Sequence, residues 1–141
     1  MKHNIILDTD SYKASHWLQY PPNTTKVFSY IESRGGRHDH TVMFGLQYYL
    51  KNYLTERVTF PMVAEAAAFF ELHGEPFNEK GWRHIITEHG GCLPVKIRAV
   101  PEGTVVPTSN ALVTVENTCP HCFWVTSWIE TMLLRIWYPI T

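Results

Sequence analysis

Residues 123–138 constrain this chain more than any other stretch. Read as a helix, Phe123, Trp124, Val125, Trp128, Ile129, Met132, Leu133, Leu134, Ile136 and Trp137 cover almost its whole circumference. A helix that is apolar all round is buried all round, yet the sequence runs on only to Thr141, with Pro139 as the expected stop. The expectation is that further polypeptide, rather than a tight oligomer, covers this helix. Aromatic content points the same way: seven Phe, seven Tyr and five Trp make up 13% of 141 residues. Such side chains need a large interior or a second surface, and a chain this long buries only about two thirds of its unfolded area.

The remaining pattern is that of one α+β unit spanning residues 1–141, with no repeat or linker. Ile5-Ile6-Leu7 reads as a short buried strand, after which Asp10-Ser11 offer helix-capping chemistry for a helix over 12–20, stopped by Pro21-Pro22. Residues 26–33 alternate apolar with polar, as a half-buried strand does. Residues 41–54 carry Phe44, Tyr48, Leu50 and Leu54 at helical spacing. Pro61 suits the first turn of a further helix with Met62, Val63, Ala66, Phe69 and Phe70 as its stripe, ended by Gly74. Asn78 caps the next, which turns Trp82, Ile85 and Ile86 inward and ends at Gly90-Gly91. Over 93–118 the period changes to two, predicting a small antiparallel meander with turns at Pro101-Glu102-Gly103 and 107–110.

Composition excludes several classes. Twelve Lys+Arg against thirteen Asp+Glu leave a net charge of -1, without the basic excess of a duplex-binding protein or a polybasic membrane anchor. No apolar run approaches the roughly 20 residues of a membrane-spanning helix. The apolar start is too short for a secretory signal. Cys92, Cys119 and Cys122 are too few for a disulfide framework, so a reducing, cytoplasmic setting is expected.

Four constellations carry possible chemistry. Cys119-Pro120-His121-Cys122 stands before a helix, where the macrodipole and His121 would lower a thiol pKa as in thiol-disulfide oxidoreductases; too little sequence follows for that fold. Zinc would need a fourth ligand, and nothing brings Cys92 to the pair. His38-Asp39-His40 could ligate a metal from a strand, or form a solvated loop tip; no metal is assigned to either set. Arg34-Gly35-Gly36-Arg37 combines amides free to face an anion with guanidinium forks that pair with phosphate, or forms an ordinary surface turn. Asp10 and Tyr12 follow the first element, where ligands sit in many α/β sites; equally, Asp10 could cap a helix and Tyr12 fill the core.

Taken in order, Asn4-Ile5-Ile6-Leu7, Thr9-Asp10-Ser11-Tyr12-Lys13, His16 and Gln19-Tyr20-Pro21-Pro22-Asn23-Thr24 resemble the amino-terminal signature of nicotinamide phosphoribosyltransferases. The likeness continues through Phe44-Gly45-Leu46-Gln47-Tyr48, Phe77-Asn78-Glu79-Lys80-Gly81-Trp82, Ala99-Val100-Pro101-Glu102-Gly103, Val115-Glu116-Asn117-Thr118 and Trp128-Ile129-Glu130-Thr131 to Trp137-Tyr138-Pro139-Ile140-Thr141. The resemblance implies the amino-terminal part of a type II phosphoribosyltransferase-like enzyme whose α/β barrel lies outside these residues. It implies attack of nicotinamide on C1 of 5-phosphoribosyl-1-pyrophosphate, giving nicotinamide mononucleotide and pyrophosphate with Mg²⁺ assistance and ATP as a coupling substrate. It also implies a homodimer in which this segment reaches the other subunit's pocket. By motif match Tyr12 stacks on nicotinamide, Asp10 lies near the pyridine, and Arg34, rather than Arg37, reaches substrate phosphate. No catalytic residue, Mg²⁺ ligand or phosphorylated histidine maps here, so the chain alone is expected to be inactive. The competing expectations are a non-catalytic module dimerising through its last helix, and the thiol oxidoreductase.

Overall fold

A computed structural model describes residues 3–141. The first apolar residues are wound rather than extended, because the Asn4 side chain accepts the Ile6 N–H at 3.0 Å and gives the backbone a local alternative to a ladder. Ile5–Leu7 is therefore a 3₁₀ turn in place of the expected strand, with Ile5 and Ile6 buried. The helix expected over 12–20 is likewise replaced by two 3₁₀ turns, Ser11–Ala14 and His16–Leu18. Ser15 Oγ donates to the Tyr12 carbonyl at 3.0 Å between them, the kind of back-bond that interrupts a regular helix.

Strand β1 spans Phe28–Glu32 and β2 His40–Val42. The 41–54 segment thus begins as strand, since Thr41 pairs with Val106. It turns helical only at α1, Leu46–Tyr49, and then widens into a π-turn, Leu50–Leu54. Glu102, from a distant turn, accepts the Gln47 N–H at 2.9 Å and completes the start of α1. Helices α2, Phe60–His73, and α3, Glu79–His89, follow. Both end on a left-handed glycine, and Asn78 caps α3 by accepting the Gly81 N–H, as expected. Phe69, however, faces solvent.

Strands β3, Val95–Ala99, β4, Val105–Pro107, and β5, Ala111–Asn117, correct the meander. The antiparallel sheet runs β1-β5-β3, while β4 leaves it to pair with β2. The reason lies in side chains: β5 buries Leu112, Val113 and Val115 and suits the centre, whereas β4 buries only Val106 and ends in a proline that cannot donate. One sheet face sets Phe28 opposite Glu116 and Tyr30 opposite Thr114, with Lys96 and Arg98 beyond. The large aromatics of β1 are thus on the open side.

After a 3₁₀ turn, Pro120–Cys122, the last helix is broken at Ile129 into α4, Val125–Trp128, and α5, Glu130–Ile140, the latter running through Pro139. It is covered mostly by its own chain. Trp82, Trp124 and Trp128 meet edge to face at centroid separations of 5.0–5.9 Å, the favoured geometry for aromatic pairs. Trp128 also donates to the Ile6 carbonyl at 3.1 Å. The expectation of an uncovered helix therefore holds only for a strip: Met132, Leu133 and Ile136 are buried, while Leu134 and Tyr138 remain exposed.

Candidate functional site

Residues 9 and 10 are tied to the break between α4 and α5. Thr9 Oγ1 donates to the Trp128 carbonyl at 2.9 Å, the Asp10 N–H donates to Thr131 Oγ1 at 3.0 Å, and Thr131 Oγ1 donates back to Asp10 Oδ2 at 2.8 Å. Asp10 caps no helix with its side chain, which corrects that alternative. Its second bond comes from the Tyr12 hydroxyl, at 3.3 Å.

Tyr12 is not core: it is 55% exposed. Its ring tilts against His16 at 5.2 Å, and Lys13 Nζ lies 5.5 Å from its centroid. Partial desolvation, then the charges of Asp10 and Glu130 and the bond to Asp10, hold its phenol above the ordinary 10.0, so the hydroxyl stays a donor. Lys13 is buried and meets Glu130 Oε2 at 2.5 Å, as a buried ammonium must have a counter-charge.

Glu130 connects this corner to a cavity of about 500 Å³ between the edge of β1 and α4–α5. Arg34, Phe28, Tyr30, Leu134 and Trp137 are among its walls, and Trp137 fixes the frame by donating to the Glu32 carbonyl at 2.8 Å. Among the described residues the exposed Arg34 guanidinium has no ion-pair or hydrogen-bond partner, and Thr126 Oγ1 is buried on the wall with none. A space of this size suits a drug-sized ligand. The structure thus joins Asp10 to Tyr12 directly and sets Arg34 in the cavity with Glu130, while neither Asp10 nor Tyr12 lines that cavity. Lys13, Thr126, Glu130 and Thr131 were not singled out from sequence; Lys13, Glu130 and Thr131 stood only inside motif strings.

The loop after Arg34 has Gly35 and Gly36 at φ of 88° and 150°, conformations in which a side chain is strained. His40 Nδ1 contacts Asp39 Oδ1 at 2.8 Å in the open, and that bond holds the Asp39 carboxyl below its ordinary value. His38 and His40 belong to no set of converging metal ligands among the described residues. The Cys119–Cys122 pair departs from the redox pattern. Both thiols are buried, and burial first, then the neighbouring Cys119, pushes Cys122 up to about 12, opposite to the expected lowering.

The architecture is that of a domain found in phosphoribosyltransferases: the crystal structure of human nicotinic acid phosphoribosyltransferase matches it with a TM-score of 0.60, over 91% of this chain and 25% of that one, at 23% identity. The particular family follows from sequence. The chain belongs to the family described as nicotinamide phosphoribosyltransferase, N-terminal domain, which matches residues 4–97. It is similar to the nicotinamide phosphoribosyltransferase of Xanthomonas campestris pv. campestris, 58% identical over 98% of this chain and 30% of that protein. The Acinetobacter baylyi protein of the same name is 33% identical over 92% of this chain and 29% of its own length. The chain spans about a third of the length of these curated relatives. Nothing among these findings favours the dimerising module or the oxidoreductase. No described helix is long and apolar enough to cross a membrane.

Proposed function

We propose that this chain acts as the amino-terminal part of a nicotinamide phosphoribosyltransferase, an enzyme of NAD salvage. The ring nitrogen of nicotinamide bonds to C1 of 5-phosphoribosyl-1-pyrophosphate, the C1–oxygen bond breaks, and pyrophosphate departs with its electron pair. The observation that carries this reading is the exposed face of Tyr12, tethered at its hydroxyl to Asp10 while Asp10 is itself bonded to Thr131. An electron-poor pyridine gains from an offset aromatic neighbour. A preorganised carboxylate beside it favours the pyridinium that develops on attack. The unpaired guanidinium of Arg34 suits a phosphate, which it can grip with two parallel bonds. Tyr12, Asp10 and Arg34 are thus proposed as substrate-binding residues, with none of the three transferring a proton.

On this reading the enzyme is a cytoplasmic homodimer, with Tyr12 offered to a pocket completed by the other subunit. Mg²⁺ would supply charge neutralisation for the leaving pyrophosphate. The residues here do not fit it as ligands: Asp10 is taken up by Thr131 and Tyr12, and Glu130 by Lys13. Mg²⁺ and the coupling substrate ATP are assigned to polypeptide outside this stretch. Two measurements test the proposal. The 141-residue chain assayed alone should turn over no substrate, and robust product would refute the assignment of the catalytic groups elsewhere. In an enzyme of the relatives' full length, Tyr12→Ala should raise the nicotinamide KM by about two- to tenfold, the loss of roughly one aromatic stacking contact; an unchanged KM removes Tyr12 from the site.

A further inference from the structure

At the far end of the tryptophan junction, α3 and the connection into α4 bring together His84, His89, Cys119 and Cys122. One potential ligand atom from each lies within 4.8 Å of the other three. Cys119 Sγ and His84 Nε2 are already 3.6 Å apart. Zinc bonds of about 2.0–2.3 Å in a tetrahedron require ligand atoms roughly 3.3–3.8 Å apart, so only a small inward adjustment separates this set from a closed site. A plain thiol–imidazole hydrogen bond would account for Cys119 and His84, and the contact between the two thiols for Cys122, but neither accounts for His89. His89 Nε2 is buried with no hydrogen-bond partner among the described residues, and native folds rarely leave such an atom orphaned.

The local structure is consistent with a built site. The turn Pro120–Cys122 folds back so that the Cys122 N–H donates to the Cys119 carbonyl at 3.0 Å, presenting two thiols from a C-x-x-C spacing familiar in zinc centres. Asn117 fixes the approach by donating to the same carbonyl at 2.8 Å. On the other side, Gly81 permits α3 to come close: a Cβ there would lie 2.7 Å from Trp124 Cζ2.

We infer that His84, His89, Cys119 and Cys122 form a structural binding site for a thiophilic divalent cation of the zinc type. Two sulfurs and two imidazoles in a tetrahedron favour zinc over the oxygen-seeking Mg²⁺ or Ca²⁺. Four protein ligands leave no open position, which marks a clamp rather than a catalytic centre. The clamp would pin the end of α3 to the start of α4. It is independent of the substrate reading, since none of the four residues lines the Arg34 cavity.

The test uses the full chain, reduced, stripped with a chelator and titrated with Zn²⁺ against a chromophoric competitor. One equivalent should bind, and Co²⁺ in its place should give the strong visible bands of a tetrahedral ion with a thiolate charge-transfer band. His89→Gln, altering a half-buried side chain at a helix end, and Cys122→Ser should each weaken Zn²⁺ by more than about 100-fold, beyond what outer-sphere changes do. Cys92→Ser should leave affinity unchanged. Absence of stoichiometric zinc, or a weak octahedral cobalt spectrum in the unaltered chain, overturns the inference without recourse to any variant. So does a Cys92→Ser effect as large as that of Cys122→Ser.

Discussion

Trp128 and Glu130 are separated by one residue, yet the regions they serve are built by opposite rules. On the Trp128 side, three indoles and Phe70 interlock, and the indole N–H bonds the Ile6 carbonyl. On the Glu130 side, every strong interaction is polar and ends in an exposed ring: Lys13 to Glu130, Thr131 to Asp10, Asp10 to Tyr12. The break at Ile129 lets a single run of sequence do both. The junction supplies stability by burial, and the corner uses that rigid base to hold a half-open aromatic face in place. A binding platform of this kind is positioned by its neighbours without contributing much to folding itself.

The sharpest way to break the contrast is to truncate one residue on each side. Trp128→Ala should destabilise the fold by about 4 kcal/mol, in the range for removing a large buried aromatic. Tyr12→Ala should change stability by no more than about 0.5 kcal/mol, as exposed positions do. Denaturant midpoints of the two variants decide it, and comparable losses would mean that Tyr12 is a core residue after all.

Between these extremes lies the ion pair. Glu130→Gln leaves the buried Lys13 ammonium without its counter-charge, while the half-exposed glutamate side keeps some water access. A loss of about 2 kcal/mol is expected, near the value of a hydrogen bond to a charged group. Thr131→Val should follow at about 1.5 kcal/mol, removing both the bond to the Asp10 carboxylate and the acceptor of the Asp10 N–H. In a full-length enzyme it should also raise the nicotinamide KM with the fold intact. Calorimetric unfolding gives the first quantity for both variants, and steady-state kinetics the second. A Thr131→Val variant with unaltered KM would show that Asp10 needs no positioning.

How much of this was legible beforehand follows the same division. The caps were readable, because Gly74, Asn78 and Gly90 act within their own turns. The 3₁₀ winding of Ile5–Leu7 was not: it depends on Asn4, whose amide is also held by the Met62 carbonyl and Glu65 far along the chain. Strand order was hidden for a similar reason, since period-two residues do not say that β5 prefers β1 as its second neighbour. Asp10 and Tyr12 came from the resemblance and lie in contact, whereas the locking role of Thr131 is a contact across most of the chain. The histidine–cysteine set escaped because His84 and His89 are five apart, which on a regular helix turns them roughly 140° from each other. Only the end of α3 at His89 and the close approach at Gly81 bring both to the thiols.

The smallest expected effect sharpens the comparison by showing that an ion pair whose cation is exposed does little. Glu116, on the open face of the sheet, meets Lys26 at 2.8 Å, Arg98 at 3.6 Å and Lys96 at 4.0 Å, a denser set of cations than Glu130 has. The bond from Lys26, chiefly, and the surrounding positive charge hold its carboxyl below the ordinary 4.5. A carboxylate with a depressed folded value stabilises the fold above its unfolded pKa, and that contribution is lost as pH falls through the folded value. Glu116→Gln should therefore be slightly less stable than the parent near neutrality, with the gap closing at pH below 4.5 and shrinking in high salt, since exposed pairs are screened. Unfolding midpoints of both proteins across that acid range provide the check. A gap as large as that of Glu130→Gln, or one that persists in acid, would mean that the exposed cations around Glu116 stabilise the fold as strongly as the buried Lys13 ammonium does at Glu130, and burial of the cation would no longer explain the difference between the two pairs.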